Sequence, residues 1–103
     1  MGLVAGQTEA REMLKALAEP LRLQIIESLS AGEKCVCDLM EEIELAQSKI
    51  SFHLKVLKEA GLITDRQSGR WVYYKLEVSA LMDLLGWLNL LTKECQRTSS
   101  SCE

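Results

Sequence analysis

The segment Gln47–Gly61 constrains the fold of this chain more than any other, because its two helical faces differ in kind. At about 100° per residue, Ile50, Leu54 and Leu57 fall within about 60° of one another and form a narrow apolar face. The opposite face carries hydroxyls, charges and an uncovered aromatic ring, at Ser48, Ser51, Phe52, Lys55 and Glu59. An ordinary surface helix would carry mixed charges there. We therefore predict that this face presses on a partner, as the recognition helix of a DNA-binding domain.

The distribution of charge supports this prediction although the net charge of the chain is -3. Residues 48–75 carry six basic and two acidic side chains, whereas residues 1–47 carry four basic and nine acidic ones. Residues 76–103 are again acidic, with two basic and four acidic side chains. A local basic patch matters more for DNA binding than the whole-chain balance, and this patch contains the predicted recognition helix.

A chain of 103 residues, 48% hydrophobic and 26% charged, suffices for one domain with a modest core. Met1–Gly6 has neither the basic start nor the apolar run of a targeting segment. The richest apolar stretch, Val78–Leu91, is too short to span a bilayer. We expect a cytoplasmic protein with no membrane partner.

The four cysteines are Cys35, Cys37, Cys95 and Cys102. In a cytoplasmic protein they are ligands or redox thiols rather than structural disulfides.

Periodicity and turn signals predict about five helices and one hairpin. The predicted helices are Thr8–Ala18, Pro20–Leu29 (with Arg22 facing out), Val36–Ile43, Gln47–Ala60 and Ser79–Lys93. The predicted strands are Leu62–Gln67 and Arg70–Leu76, joined by a turn at Ser68-Gly69. The third and fourth predicted helices are joined by a short connection, the fourth is basic, and a hairpin follows it. This order predicts a mainly α winged helix-turn-helix with a two-stranded wing. This domain spans residues 8–94, between flexible tails at 1–7 and 95–103, the second of which contains cysteines.

The last predicted helix is apolar nearly all round, although a domain this small offers it only one core. Its second apolar side needs another partner, and a copy of the same helix is the simplest one. We therefore expect a homodimer formed by the first and last helices. The residues assigned to its interface are Met13, Leu14, Leu17, Leu81, Leu84, Leu85, Leu88 and Leu91.

Four runs of residues resemble the ArsR/SmtB family of winged-helix repressors. They are Leu14–Leu23, Cys35–Leu39, Gln47–Leu57 and Gly69–Tyr74, and the resemblance covers roughly residues 10–92. The Cys-Val-Cys-Asp-Leu run is similar to the arsenite-sensing branch in particular. The resemblance implies a dimeric repressor that leaves its operator DNA when a metalloid or metal binds. The residues themselves speak against an enzyme, because His53 is the one histidine and the sequence has no Gly-rich phosphate loop or Gly-x-Ser-x-Gly elbow.

The Cys35-Val36-Cys37 pair is the first candidate for the inducer site. Zinc ribbons and redox motifs place two residues between their cysteines, so the single residue here indicates neither. Positions i and i+2 of a regular helix differ by about 200°, so both thiols reach one ion only at a helix boundary or after unwinding. The pair stands where the third predicted helix begins, and a soft centre such as trivalent arsenic or antimony suits two thiolates there. The alternative is that both cysteines are small buried hydrophobic residues.

The third ligand is left open by the sequence. Some arsenic sensors continue to Asp-Leu-Cys, but here Asp38-Leu39 is followed by Met40, a neutral thioether that more readily fills core space. Cys95 or Cys102 could complete a three-sulfur site, or the two could form a separate pair. The last helix lacks the histidine of zinc-sensing family members, and residues 1–34 contain no cysteine for a cadmium or lead site.

The predicted DNA contacts lie on the recognition helix and near the tip of the wing. They are Gln47, Ser48, Lys49, Ser51, Phe52, His53, Lys55, Arg66 and Arg70. Two of these assignments have alternatives. Phe52 either contacts a thymine methyl group or is partly buried under the wing, and His53 either contacts phosphate or has a capping or core role.

The sequence therefore predicts a repressor released from DNA by trivalent arsenic or antimony. The nearest alternative keeps the fold and changes the signal to thiol oxidation or persulfide formation. A thiol-dependent metalloid chaperone or enzyme that does not bind DNA is a third hypothesis, and the basic central segment speaks against it.

Overall fold

The computed structural model describes residues 2–95, with side chains over residues 9–93 and at Cys95. Its elements are α1 (Gly2–Leu17), α2 (Pro20–Leu29), β1 (Lys34–Cys35), α3 (Val36–Ile43), α4 (Gln47–Glu59), β2 (Ile63–Ser68), β3 (Trp71–Leu76) and α5 (Val78–Glu94). Helices α3 and α4 form the helix-turn-helix, and β2 with β3 forms the wing. The predicted fold class, mainly α with a winged helix-turn-helix, is confirmed.

Helix α2 begins and ends where the sequence signals place it. Pro20 occupies its first turn, where a missing N–H costs nothing, and the Glu19 carboxylate accepts a hydrogen bond of 3.0 Å from the Arg22 amide. The amide of Arg22 holds the pKa of Glu19 below its usual value. Beyond Ser30, Gly32 has a φ of +137° and donates its amide to the Leu29 carbonyl at 3.0 Å.

The end of α4 directs the chain into the wing. Gly61 has a φ of +81°, and its amide donates to the Lys58 carbonyl at 3.0 Å. The amide of Leu62 donates to the Leu57 carbonyl, also at 3.0 Å, which completes a Schellman motif. The glycine at this position therefore ends the helix and positions Leu62 and Ile63, both fully buried, at the start of β2.

The wing belongs to a three-stranded antiparallel sheet of order β1-β3-β2. Lys34 pairs with Tyr74 and Cys35 with Tyr73. The predicted two-stranded wing is confirmed as β2 and β3. The sequence did not predict β1, because β1 is two residues long and too short to give any periodic signal. Its strand character comes from pairing with a segment almost forty residues away in the sequence.

Two further boundaries differ from the predictions. Helix α1 begins at Gly2 instead of Thr8, so residues 2–7 are helical rather than a tail. Threonine is an N-cap only where the helix starts, and no proline in residues 2–7 stops the helix from extending further.

The turn of the wing lies at Gly69-Arg70, one residue later than predicted, with φ of +62° at Gly69. The rest of the predicted tail, residues 96–103 with Cys102, lies outside the described residues.

The inner face of α4 lies at the centre of the core. Ile50, Leu54 and Leu57 are at most 1% exposed, as are Ile25 of α2 and Leu39 of α3. The predicted apolar face of the recognition helix is therefore confirmed. The outer face of α4 stays exposed to solvent because the rest of the fold packs on the inner face only.

The residues assigned to dimerisation divide into two groups. Met13 and Leu84 are 3% and 7% exposed within a single chain, so they belong to its core and have little surface left for an interface. They fill the space where α1 packs on α5, and the 3.6-residue period does not distinguish the two sides of an all-apolar helix. Leu17 and Leu81 are half-buried against the core. The exposed members are Leu14, Leu85, Leu88 and Leu91, at 39–50%.

Within residues 2–95, no helix combines the length and the apolar run needed to cross a bilayer.

Shortening the central side chain of α4 tests this packing. We expect Leu54→Ala to lower the free energy of unfolding by about 2–5 kcal/mol, since it leaves a cavity at a site that is 1% exposed. Urea denaturation followed by circular dichroism, at one fixed protein concentration, measures the change. Ser51→Ala, on the exposed face of the same helix, is the matched control and should shift stability by no more than about 0.5 kcal/mol. Equal effects would contradict the placement of Leu54.

Candidate functional site

The outer face of α4 presents most of the predicted DNA contacts to solvent. The exposed residues are Gln47, Ser48, Lys49, Ser51, Phe52 and Lys55. Ser48, Phe52 and Lys55 lie on the side opposite Ile50 and Leu54, and Gln47 stands at the start of the helix. A groove of DNA can approach this side without disturbing the core. The hydroxyls and the two lysines supply donors for base edges and phosphates.

Phe52 is 58% exposed. Its ring stands edge-on to that of His53, with centroids 5.3 Å apart and an interplanar angle of 65°. The wing does not cover this ring, so the burial alternative does not hold. An exposed phenyl group on the proposed reading face is free for apolar contact with a thymine methyl group.

His53 has a different position from its neighbours, because it is only 7% exposed. Its Nδ1 lies 3.3 Å from Nη1 of Arg22, and Nε of Arg22 donates to the carbonyl of Ala16 at 2.6 Å. Arg22 is half-buried and joins the end of α1 to α4, instead of facing out as predicted. This contact favours the core role of His53 over a phosphate contact, and the sequence did not show it because the two residues are 31 positions apart.

The wing holds one predicted basic contact in an ion pair and leaves the other free. Arg66 donates from Nε and Nη2 to both carboxylate oxygens of Glu33, each at 2.8 Å, and its guanidinium lies 4.8 Å from the ring centre of Tyr73. The hydrogen bond from Arg66 holds the pKa of Glu33 below its usual value. Arg70 lies in the turn and is exposed, with no ion pair among the described side chains. Arg70 is therefore the more available phosphate contact.

A second ion pair fixes the wing to the recognition helix. Lys58 of α4 donates to Asp65 of β2 at 2.9 Å, and this hydrogen bond raises the pKa of Lys58. Part of the basic charge counted in residues 48–75 is thus neutralised within the fold. The remaining cations that face the proposed interface are Lys49, Lys55 and Arg70.

The cysteine pair occupies a helix boundary, as a shared site requires. Cys35 is the last residue of β1 and the extended N-cap of α3, with φ -88° and ψ 168°, and Cys37 lies in the first turn. The two sulfurs are joined as a disulfide across a Cα separation of 5.4 Å. Cys35 is buried at 6% exposed, whereas Cys37 is open to solvent. One sulfur is thus buried in the fold and the other is accessible to solvent.

Asp38 is the third group at this position. One oxygen of its carboxylate and the two sulfurs lie within 4.8 Å of one another, and Oδ2 accepts a 3.3 Å hydrogen bond from the Cys35 amide. We call Cys35, Cys37 and Asp38 the thiol site. Sequence reasoning did not assign Asp38 as a ligand, although its position three residues after the N-cap indicates that its side chain returns to the helix start.

The remaining candidate ligands do not reach the thiol site within one described chain. Cys95 is exposed at the end of α5, with Sγ 3.1 Å from the carbonyl of Thr92, and it is absent from the cluster around Cys35. Met40 is half-buried against the core, which is the filling role expected of it. Cys102 lies outside the described residues.

The thiol site is connected to the wing through β1 and to the recognition helix through α3. Through β1, Cys35 pairs with Tyr73 of the wing, and through α3 it is continuous with the helix that packs on α4. Next to it, Lys34 bonds to Glu42 of α3 and, at 3.0 Å, to Ser28 of α2. Hydrogen bonds from Lys34 and then Ser28 lower the pKa of Glu42. A displacement of the sulfurs can therefore be transmitted to the wing through β1 and to the recognition helix through α3.

Comparison with known proteins adds family information to this geometry. A family model described as "Bacterial regulatory protein, arsR family" matches residues 19–65. The arsenical resistance operon repressor of Bacillus subtilis is 47% identical over 75 residues, which are 72% of this chain and 71% of that protein.

Two solved structures resemble the whole fold. One, described as a possible transcriptional regulator for arsenical resistance, is 33% identical with a TM-score of 0.71, covering 85% of this chain and 98% of its own. The other is the homodimeric winged helix-turn-helix domain of Mb0332 from Mycobacterium bovis, a possible ArsR-family regulator. It is 25% identical with a TM-score of 0.70, over 97% of this chain and 94% of its own.

Removing the carboxylate that holds Arg66 tests whether this ion pair competes with DNA. We expect Glu33→Ala to strengthen binding to duplex DNA, because the freed guanidinium gains a phosphate contact. The slope of log K against log salt should steepen by about 0.9 for that one contact. Fluorescence anisotropy across a salt series measures it. Glu27→Ala, an exposed glutamate on α2, removes the same charge and should leave the slope unchanged. Identical slopes in both variants would contradict the competition.

Proposed function

The chain belongs to the ArsR family of bacterial regulatory proteins, and we propose that it is a homodimeric repressor that trivalent arsenic or antimony releases from operator DNA. The family membership makes it a DNA-binding winged-helix transcriptional regulator and not an enzyme, as the sequence predicted. The inducer, the operator and the dimer are the parts proposed here.

The position of the thiol site carries the proposal. Cys35 is the residue at which β1 ends and α3 begins, so a ligand bonded to its sulfur acts on the wing and on the helix-turn-helix together. Trivalent arsenic bonds readily to thiolates, which are soft ligands. Arsenous acid, As(OH)3, reacts with the two thiols to form two As–S bonds and releases two water molecules. The reaction needs the reduced pair, so the disulfide must first be opened by a thiol or phosphine reductant.

Binding would disturb DNA contact by moving the first turn of α3. An arsenic atom bonded to both thiolates draws the two sulfurs onto one centre, and Cys35 is fixed by its pairing with Tyr73. Cys37 and its helical turn must then shift. Because α3 packs on α4 through a close-packed core that includes Leu39 and Ile50, the shift changes how the recognition helix is presented.

We propose that α1 and α5 form the dimer interface. Leu14 on α1 and Leu85, Leu88 and Leu91 on α5 are exposed apolar side chains that a single chain leaves uncovered. The homodimeric Mb0332 domain, similar over nearly the whole chain, supports a homodimer. A dimer would present two copies of α4 to two half-sites of an operator.

The paired sulfurs also support a second candidate function, a sensor of thiol oxidation. In that case the two thiols lose two protons and two electrons to an oxidant such as a peroxide and close the disulfide that the structure contains. The same paths from Cys35 to the wing and α3 would transmit the change. Reductant distinguishes the two candidates, because it abolishes an oxidation signal and is required for the arsenic signal.

Operator release in the presence of a phosphine reductant tests the proposal. The operator is obtained by selecting tight-binding duplexes from random sequence, and binding is followed by fluorescence anisotropy. Arsenite should weaken wild-type binding at least tenfold. The double variant Cys35→Ser, Cys37→Ser should keep its DNA affinity within twofold and lose the response. Cys95→Ser, the control, should keep both.

Each other outcome is informative. Release by peroxide alone would replace arsenic sensing by the oxidation candidate. Loss of folding in the double variant would show that the cysteines are structural, and loss of the arsenite response in Cys95→Ser would show that a third sulfur is needed.

A further inference from the structure

The side chain of Arg22 connects three helices. Its Nε donates to the carbonyl of Ala16, in the last turn of α1, at 2.6 Å, and its Nη1 lies 3.3 Å from Nδ1 of His53 on α4. Arg22 itself belongs to α2, where its amide donates to the Glu19 carboxylate. We call the contacts of the Arg22 guanidinium with Ala16 and His53 the Arg22 bridge.

The sequence leaves the Ala16 carbonyl without a helical donor. In a continuing α-helix this carbonyl would accept from the amide four residues later, but that residue is Pro20, which has no N–H. Ala16 is buried at 3% exposed, so a donor from the protein is needed there. Nε of Arg22 supplies it, and the positive charge of the guanidinium lies at the favourable, C-terminal end of the α1 dipole. The end of α1 is therefore fixed by Arg22.

The other side of the bridge fixes the imidazole of His53. A guanidinium has donors only, so Nδ1 of His53 is the acceptor and the neutral ring carries its proton on Nε2. His53 is 7% exposed and lies on α4 directly before the buried Leu54. No buried nitrogen or oxygen of the described side chains lacks a hydrogen-bond partner, which includes this one. The recognition helix is thus bonded to Arg22 near its middle.

Apolar packing leaves a space between α1 and α4. A cavity of about 320 Å³ opens there, and its lining includes Lys15 of α1, Arg22 of α2, and Val56 and Glu59 of α4. Close-packed side chains hold two helices at one angle, whereas a space of this size leaves that angle less constrained. Because Arg22 lines this cavity and bonds to both helices, the angle between α1 and α4 depends on the Arg22 bridge.

Resting on the proposed homodimer, we propose that the Arg22 bridge sets the separation of the two recognition helices and thereby the half-site spacing that the dimer accepts. Helix α1 belongs to the proposed dimer interface and α4 carries the reading face, and the bridge connects them within each protomer. In a two-fold dimer, any movement of α4 relative to α1 occurs twice. Arg22 and His53 are therefore positioning residues, which act on spacing and not on the contacts of one α4 with one half-site.

Half-site spacing is a sensitive measure of this geometry. Each inserted base pair separates two half-sites by about 3.4 Å and rotates them by about 34° about the DNA axis. A dimer whose recognition helices are held at one separation loses contacts on such DNA. A dimer whose recognition helices can shift relative to α1 follows the change and keeps them.

The test measures affinity for three duplexes by fluorescence anisotropy. They are the operator selected by the wild-type protein, the same operator with one base pair inserted between its half-sites, and a single half-site. The insertion should weaken wild-type binding at least tenfold. His53→Leu keeps the bulk of the side chain and removes the acceptor, so it should reduce this ratio to threefold or less. Its affinity for the single half-site should stay within twofold of wild type.

A conservative variant and a charge control separate positioning from other effects. His53→Asn places an amide oxygen where the Arg22 guanidinium can donate to it, so it should keep the tenfold ratio. Lys15→Ala removes a positive charge from the lining of the same cavity, and Lys15 pairs only with Glu12 among the described side chains. This variant should also keep the tenfold ratio.

Arg22→Ala is the second bridge variant, in case the change at the buried His53 prevents folding. Arg22 is half-buried, and its removal breaks both contacts of the bridge, so the spacing ratio should again fall to threefold or less. Full discrimination in every folded bridge variant would overturn the inference. Equal losses of affinity for all three duplexes would overturn it as well, because the bridge would then only stabilise α4.

Sedimentation velocity separates this inference from the proposed function. Wild-type protein and the bridge variants should all sediment as dimers at the concentrations used for DNA binding. A monomeric wild-type protein would contradict the proposed homodimer and this inference with it. A dimeric wild-type protein that binds the operator but tolerates the inserted base pair would overturn the role of the Arg22 bridge alone. No inducer is used, so the result does not depend on what the thiol site binds.

Discussion

The antiparallel pairing of Cys35 with Tyr73 is the contact on which the rest of this structure depends. It places a two-residue strand, which ends at the thiol site, in the same sheet as the wing. Without it, the cysteine pair would belong only to the start of α3. With it, one buried thiol is fixed to the wing while its exposed neighbour Cys37 belongs to the helix-turn-helix, so the site joins two units that contact DNA.

The recognition helix α4 packs on the core through one face only, and its other face is exposed. Leu54 and Leu57 are almost completely buried, and the same core receives Leu39 from α3. Packing at this density transmits displacements because there is little free volume to absorb them. The exposed face has no comparable constraints. Movement of α3 therefore becomes movement of the reading surface.

Electrostatic contacts divide the basic residues into two classes. Arg66 and Lys58 are paired with Glu33 and Asp65, and these pairs brace the wing against the segment before β1 and against α4. The net charge of residues 48–75, counted from the sequence, is therefore larger than the positive charge that remains available to DNA phosphates. Exposed ion pairs contribute little to stability, so their larger effect is on which cations remain free for DNA.

The sequence by itself determined α2 to α5, the wing and the apolar face of α4, because prolines, glycines and short-range periodicity encode these locally. It also identified Cys35 and Cys37 as a pair at a helix boundary. Only the tertiary structure decided that Cys35 lies in a strand, that His53 pairs with Arg22 and that Leu84 is core. Each depends on neighbours distant in sequence, which no local pattern records.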